Sequence, residues 1–376
     1  MKTVDLIYFN AGGGHRAAAQ ALERVMQGDH WKVRLVNLTD MLDPNDQFRK
    51  YTGIAPEDLY NKRLASGFTV GMTQELKILQ YLIRLGHKAM VGKMRSYWLT
   101  TSPNLVVSLI PNFNRALCES LAEALPEVPY VTVLTDMADH PPNFWIEPDQ
   151  PQHIICGTAH AAEQARAAGC ESQRIHRVSG MILRPNFYND SSVDRTAERL
   201  KNGLDAQTPV GLVLFGGHGS SVMKRIATNA DSTPLILMCG KNAALAKALR
   251  ATKATAPRVV VEFTPDVANW MRLADFFIGK PGPGSLSEAV QMGLPVITTR
   301  NAWTMPQERW NTEWVTQNRL GVVLGSFRNV QKAVDALSNN LPHWQAQVHQ
   351  INNRALFEIP SILSNLRPLA KPTRGA

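Results

Sequence analysis

The chain has 376 residues, 44% hydrophobic and 19% charged, with a formal net charge of +9. Its length exceeds one ordinary core and predicts two α/β domains, and no stretch approaches the roughly 18–20 apolar residues that span a bilayer. The basic surplus suits an anionic partner, whether nucleic acid, nucleotide-containing substrate or lipid, and does not choose among them.

Val4–Phe9 reads as a strand that ends in Asn10-Ala11-Gly12-Gly13-Gly14. As an apolar run it is too short for a signal peptide, so a cytoplasmic protein is expected. Ala17–Met26 reads as a helix, Lys32–Leu38 as an alternating strand, and Leu105–Leu109, Tyr130–Leu134 and Ile154–Cys156 as buried strands. The four cysteines (Cys118, Cys156, Cys170, Cys239) show no metal-ligand spacing and read as reduced. After a polar stretch the pattern restarts: Val210–Phe215, Leu235–Cys239, Val259–Phe263, Phe276–Ile278, Val296–Thr298 and Gly321–Leu324 are the later strands. Strands alternating with helices predict parallel sheets covered on both faces. The expected division is one Rossmann-like domain over 1–183, a linker over 184–208 and a second Rossmann-like domain over 209–343, followed by a helical segment over 344–376 that ends in a flexible tail.

Three glycine loops follow strands. Gly12-Gly13-Gly14-His15 lies where strand one turns into helix one, where glycine lets the backbone approach a ligand and helix amides favour negative charge. It also fits a dinucleotide fingerprint, but Asn37 stands where that motif needs an acid. The others are Gly216-Gly217-His218-Gly219 and Gly279-Lys280-Pro281-Gly282-Pro283-Gly284-Ser285. The last runs into a helix start able to hold a diphosphate, with Glu288 one turn in for a ribose diol. Neither has the Walker spacing, and each alone reads equally as a tight turn. Three at strand ends predict a ligand cleft.

Segment 61–98 carries Lys62, Arg63, Lys77, Arg84, Lys88, Lys93 and Arg95 against one acid, Glu75. On a continuous helix, which Gly86 weakens, Lys77, Arg84, Lys88 and Arg95 fall within about 40° of one another. Met72, Leu79, Leu82, Ile83 and Met90 lie opposite. Such a helix suits an anionic membrane surface or packing on a core.

Taken in order, several stretches resemble the monogalactosyldiacylglycerol synthase and processive diacylglycerol glucosyltransferase family, of the glycosyltransferase family 28 type. They are Gly12 to Leu22, Leu134-Thr135-Asp136 with His140, Gly180-Met181-Ile182 with Pro185 and Phe187, Phe215-Gly216-Gly217, Gly279 to Pro295, and Pro306-Gln307-Glu308 with Asn311. The resemblance implies a GT-B fold, two Rossmann-like domains facing across a cleft, with the acceptor held by 1–183, the nucleotide sugar by 209–343 and a helix within 344–376 crossing back to the first domain. It also implies inverting transfer of a hexose from UDP-galactose or UDP-glucose to a lipid. Diacylglycerol at the inner face of the cell membrane is the expected acceptor.

An inverting transfer needs a base for the acceptor and stabilisation for the leaving diphosphate. His15 is the expected base, since a helix amino terminus disfavours imidazolium. Asp136, at a strand end, would orient the acceptor or His15, with Gly12, Gly13, Gly14 and His140 around the acceptor. By resemblance Gln307 and Glu308 would bind hexose hydroxyls, Glu288 the ribose, and the backbone around Phe263 and Thr264 the uracil edge. Gly216, Gly217, Gly282, Gly284 and Ser285 would line the donor. No Asp-x-Asp occurs, so no metal or other cofactor is expected and activity should survive EDTA. The alternatives are a transferase with an isoprenoid-linked or soluble acceptor, a UDP-sugar epimerase, and an NAD-dependent oxidoreductase. No nucleic-acid-binding module is recognised.

Overall fold

The computed structural model describes residues 1–10, 13–28, 30–44, 50, 72–189 and 194–366. These fall into two compact units: residues up to 184 together with those from 354 onward, and residues 185–353. Each is a six-stranded parallel sheet with helices, the arrangement of two Rossmann-like domains of the GT-B type.

The first unit runs β1 (Lys2–Tyr8), α1 (Gly14–Met26), β2 (Trp31–Asn37), α2 (Leu38–Leu42), α3 (Met72–Leu85), α4 (His87–Thr101), β3 (Leu105–Ser108), α5 (Asn114–Ala124), β4 (Tyr130–Val133), β5 (His153–Cys156), α6 (Ala159–Ala167) and β6 (Ile175–Arg177). Strand order is β2-β1-β3-β4-β5-β6. Every residue of β3 and β4 is buried, as expected of strands covered on both faces. In α4, Val91, Met94 and Trp98 form the buried stripe, and the Trp98 indole donates to Ser120 at 2.9 Å. Helix α1 begins three residues before the predicted Ala17, because Gly13 takes a left-handed conformation (φ 81°) that ends the loop there. The edge strand β6, Ile-His-Arg, escapes sequence reading because it lacks an apolar run.

The second unit runs α7 (Arg195–Lys201), β7 (Gly211–Leu214), α8 (Val222–Asn229), β8 (Leu235–Gly240), α9 (Ala243–Arg250), β9 (Arg258–Glu262), α10 (Val267–Arg272), β10 (Phe276–Gly279), α11 (Pro283–Gln291), β11 (Val296–Thr299), α12 (Arg309–Gln317), β12 (Gly321–Leu324), α13 (Val330–Ser338) and α14 (Leu341–Val348). Its strand order is β12-β11-β10-β7-β8-β9. The last helix, α15 (Ala355–Asn365), returns to the first unit.

Two boundaries differ from the sequence reading. Region 184–208 contains α7, which belongs to the second unit: Arg199 is buried and, with Arg195 and the Val210 amide, is bonded to the Asp275 carboxylate. Helix α14 also stays in that unit, so the chain returns at Arg354 rather than at 344. Three cysteines are buried, Cys170 is half-buried, and all four are free thiols.

Chain order sets where ligands can gather. In the first sheet the strands depart in opposite directions from the boundary between β1 and β3; in the second, from that between β7 and β10. In open parallel sheets such switch points open a crevice at the carboxyl ends of the strands. His15 follows β1, and Lys280 follows β10.

Candidate functional site

At the first switch point α1 starts immediately after Gly13, which puts His15 in its first turn. The His15 Nδ1 lies 2.7 Å from the Leu109 carbonyl oxygen, just past β3, and 3.2 Å from Thr135 Oγ1. A carbonyl only accepts, so Nδ1 carries the proton and the lone pair lies on Nε2. Burial holds the His15 pKa below its ordinary 6.5, against a smaller opposite pull from the bond to Leu109. The ring is thus neutral near pH 7, with Nε2 in the form of a base.

Asp136, predicted to orient the acceptor or His15, accepts a hydrogen bond from the Trp145 indole at 2.9 Å. The Nδ1 proton of His15 goes instead to backbone, so the ring's tautomer does not need the carboxylate. Trp145 is fully buried and its ring lies 6.0 Å from that of His15. It is placed by Asp139, whose buried carboxylate accepts from the backbone amides of Asn143, Phe144 and Trp145 at 3.1, 3.0 and 2.6 Å. Gln164 clamps both the amide and the carbonyl of Asp139. Sequence reading missed Trp145 and Asp139; the apolar triplet Phe144-Trp145-Ile146 after two prolines was the available signal. His140 is exposed on the same loop. Gly13 and Gly14 are exposed beside His15, and Gly12 lies outside the described residues.

The predicted donor residues line the carboxyl ends of the second sheet. Gly216 and Gly217 follow β7, and a side chain on Gly240, at the end of β8, would strike the Gly217 carbonyl. Lys241 follows and places its ammonium 5.3 Å from the Phe263 ring, which is 60% exposed after β9. The Thr264 hydroxyl accepts from the Asp266 amide at 3.1 Å. From β9 to β10 is three strand spacings, roughly 14 Å.

Around α11 the residues converge. Gly282 is the N-cap, Pro283 opens the helix, and no acid stands in the first turn. A Cβ on Gly282 would meet Ser285 Oγ at 3.3 Å, Lys280 Cε at 3.4 Å and Glu308 Oε1 at 3.5 Å, so these side chains share one small space. Glu308 is buried, and its Oε1 lies 2.6 Å from Lys280 Nζ. Asn311 donates to the Pro281 carbonyl at 2.7 Å and ties α12 to the loop. Gln307 lies beside Met305 Sδ, Gly284 is exposed, and Glu288 is half-buried in the second turn of α11. Lys280 and Lys241 were not among the predicted site residues.

The basic segment is helical on both sides of Gly86, the glycine that weakens a continuous helix, and divides there into α3 and α4. Arg84, Lys88 and Arg95 are exposed; Lys62 and Arg63, and the side chain of Lys77, lie outside the description. Lys93 is committed to the Leu42 carbonyl at 2.6 Å. Of the apolar residues read as lying opposite the cations, Leu79 and Leu82 are exposed, with Ile78, Tyr81 and Leu85, while Leu76 packs on the core and Gln80 bonds Asn112. Among the described residues no helix is long and apolar enough to cross a membrane.

No protein-family model matches the chain. Its sequence relatives are monogalactosyldiacylglycerol synthases. The chain is 27% identical over 352 residues to a probable monogalactosyldiacylglycerol synthase 2, chloroplastic, of Oryza sativa subsp. indica, covering 89% of this chain and 73% of that protein. It is 26% identical over 366 residues to monogalactosyldiacylglycerol synthase 3, chloroplastic, of Arabidopsis thaliana, covering 90% and 75%. In fold it is similar to MurG of Acinetobacter baumannii, with a TM-score of 0.60 at 12% identity over 97% of this chain and 100% of the other. It is also similar to UDP-GlcNAc 2-epimerase of Neisseria meningitidis bound to UDP-GlcNAc, with a TM-score of 0.58 at 10% identity over 97% and 98%.

Proposed function

We propose that this chain, a glycosyltransferase of the GT-B type with monogalactosyldiacylglycerol synthases as its sequence relatives, moves a hexose from UDP-galactose or UDP-glucose to the hydroxyl of diacylglycerol at a membrane surface. The observation that carries the reading is the His15 imidazole, neutral and fixed with its lone pair on Nε2 at the switch point of the first sheet. A base so held can take the acceptor proton as oxygen attacks the anomeric carbon from the face opposite the diphosphate, which inverts that centre. An epimerase of the same fold needs no acceptor hydroxyl; the sequence relatives favour transfer.

On the donor side, Phe263 offers a face for the base, Glu288 a carboxylate for the ribose, and the start of α11 with Ser285 a cradle for the diphosphate. Gln307 and Glu308 follow β11, next in the sheet to β10, and suit the hexose hydroxyls. The exposed apolar face of α3, with Arg84 and the α4 cations Lys88 and Arg95, suits an anionic bilayer from which a diacylglycerol would be drawn. The place of action is then the cytoplasmic face of a membrane, with the protein peripheral to it. No cofactor is required.

The test is transfer of labelled hexose from each UDP-sugar to diacylglycerol in anionic vesicles. One donor should support lipid-dependent product, and His15→Ala should lower the rate about 10²- to 10⁴-fold. Equal UDP release with and without lipid would overturn the diacylglycerol assignment. An unchanged rate in the variant would remove His15 as base.

A further inference from the structure

The Lys280–Glu308 pair is placed oddly for a purely structural contact. Lys280 leaves β10 at the switch point and brings its ammonium against the start of α11, where the helix already presents partial positive charge. Two like fields at one point are unfavourable unless an anion joins them. The N-cap is a glycine, and no acid stands in the first turn to supply one. Glu308, from the segment that follows β11, is the resident anion and accepts from Lys280 at 2.6 Å. The Glu308 side chain is 6% exposed whereas the Lys280 side chain is 37% exposed, so the lysine is the member of the pair that solvent reaches.

We propose that Lys280 is a donor-binding residue that exchanges Glu308 for the diphosphate of the nucleotide sugar, so that donor binding releases the Glu308 carboxylate toward the hexose hydroxyls. The inference rests on the donor-site reading above and deepens it. Before donor binds, the pair keeps a buried carboxylate from standing without a partner. When the diphosphate reaches the α11 amides, it offers Lys280 a more highly charged partner. The carboxylate then turns to hydroxyl donors, which are present only if a hexose is attached. Lys280 thereby reads phosphate, and Glu308 reads sugar.

The experiment is calorimetric titration of the full chain with uridine, UDP and UDP-hexose, in wild type, Lys280→Met and Glu308→Gln. Lys280→Met should weaken UDP about ten- to a hundredfold, the loss of one charge-assisted hydrogen bond, and leave uridine unchanged. Glu308→Gln frees the ammonium, so UDP should bind about two- to fivefold tighter. In that variant UDP-hexose should lose its advantage over UDP. If Lys280→Met proves unfolded by circular dichroism, Glu308→Gln decides alone. Equal weakening of uridine and UDP by Lys280→Met, or no gain for UDP in Glu308→Gln, overturns the exchange. Wild-type protein that binds neither uridine nor UDP would overturn the donor site itself, a result distinct from either variant's failure.

Discussion

A histidine becomes a base when its ring is neutral, its tautomer is fixed and its free nitrogen is available. His15 meets the first two conditions through burial and the bond to Leu109 O. Among the described residues no hydrogen bond engages Nε2. The pH consequence follows in sign. Only the unprotonated ring accepts a proton, so kcat/KM falls as pH drops through the His15 pKa. Burial moves that pKa below 6.5, so the acid limb of the profile should have its midpoint below 6.5. Lipid-dependent transfer measured from pH 5 to 9, with vesicle binding followed in parallel, checks this; an acid limb centred above 7 would contradict it. Asp136 does not set that limb through the Nδ1 proton, which is already given to the backbone.

Among the elements, α3 is apolar on two sides. Leu76 and Gln80 face inward, while Ile78, Leu82 and Leu85 repeat at helical spacing on the outside, with Tyr81 and Leu79 flanking them. An ordinary surface helix keeps one apolar stripe and points it at the core. A contiguous exposed stripe is instead what an interfacial helix lays into headgroups. Replacing Leu82 and Leu85 together with Ser should abolish recovery with anionic vesicles in flotation, while UDP affinity stays unchanged. Retained flotation would assign the stripe to another partner. Sequence periodicity located this segment but not its outward face, because period 3.6 marks a stripe and not what covers it. The strands were legible for the complementary reason: buried runs such as Leu105–Ser108 and Val296–Thr299 leave no alternative. Helix α7 was lost in a polar stretch because its anchor is Arg199, a buried charge whose partner, Asp275, lies far along the chain. The glycine loops at strand ends could be read from the strand–glycine pattern, but the pairings of Lys280 and Trp145 could not. Their meaning depends on Glu308 and Asp136, which only the tertiary structure brings near.

At the scale of the whole molecule, among the described residues the chain passes between units at 184–185 and again at 353–354, so the first unit is completed by residues that follow the second. Helix α15 buries Ala355, Leu356, Ile359 and Leu363 in that unit, lies against α1, and places Ser364 3.4 Å from the Trp31 indole nitrogen. Glu358 accepts from both the amide and the hydroxyl of Ser179 at 2.7 and 2.9 Å. Burying Leu356, Ile359 and Leu363 contributes about 5–9 kcal/mol as an upper bound, at roughly 1.5–3 kcal/mol each. That is comparable with the entire stability of an ordinary domain, roughly 5–15 kcal/mol. A chain ending at Asn353 should therefore lose the folded first unit and with it all transfer activity. The second unit takes none of its residues from α15, so the truncated protein should still bind UDP within about threefold of wild type, a difference of under 1 kcal/mol. Saturating UDP should raise its remaining thermal transition, since a ligand stabilises the unit that binds it. If the truncated chain instead bound no UDP while that transition persisted, the donor site would need residues of both units, and its assignment to the second sheet alone would fall.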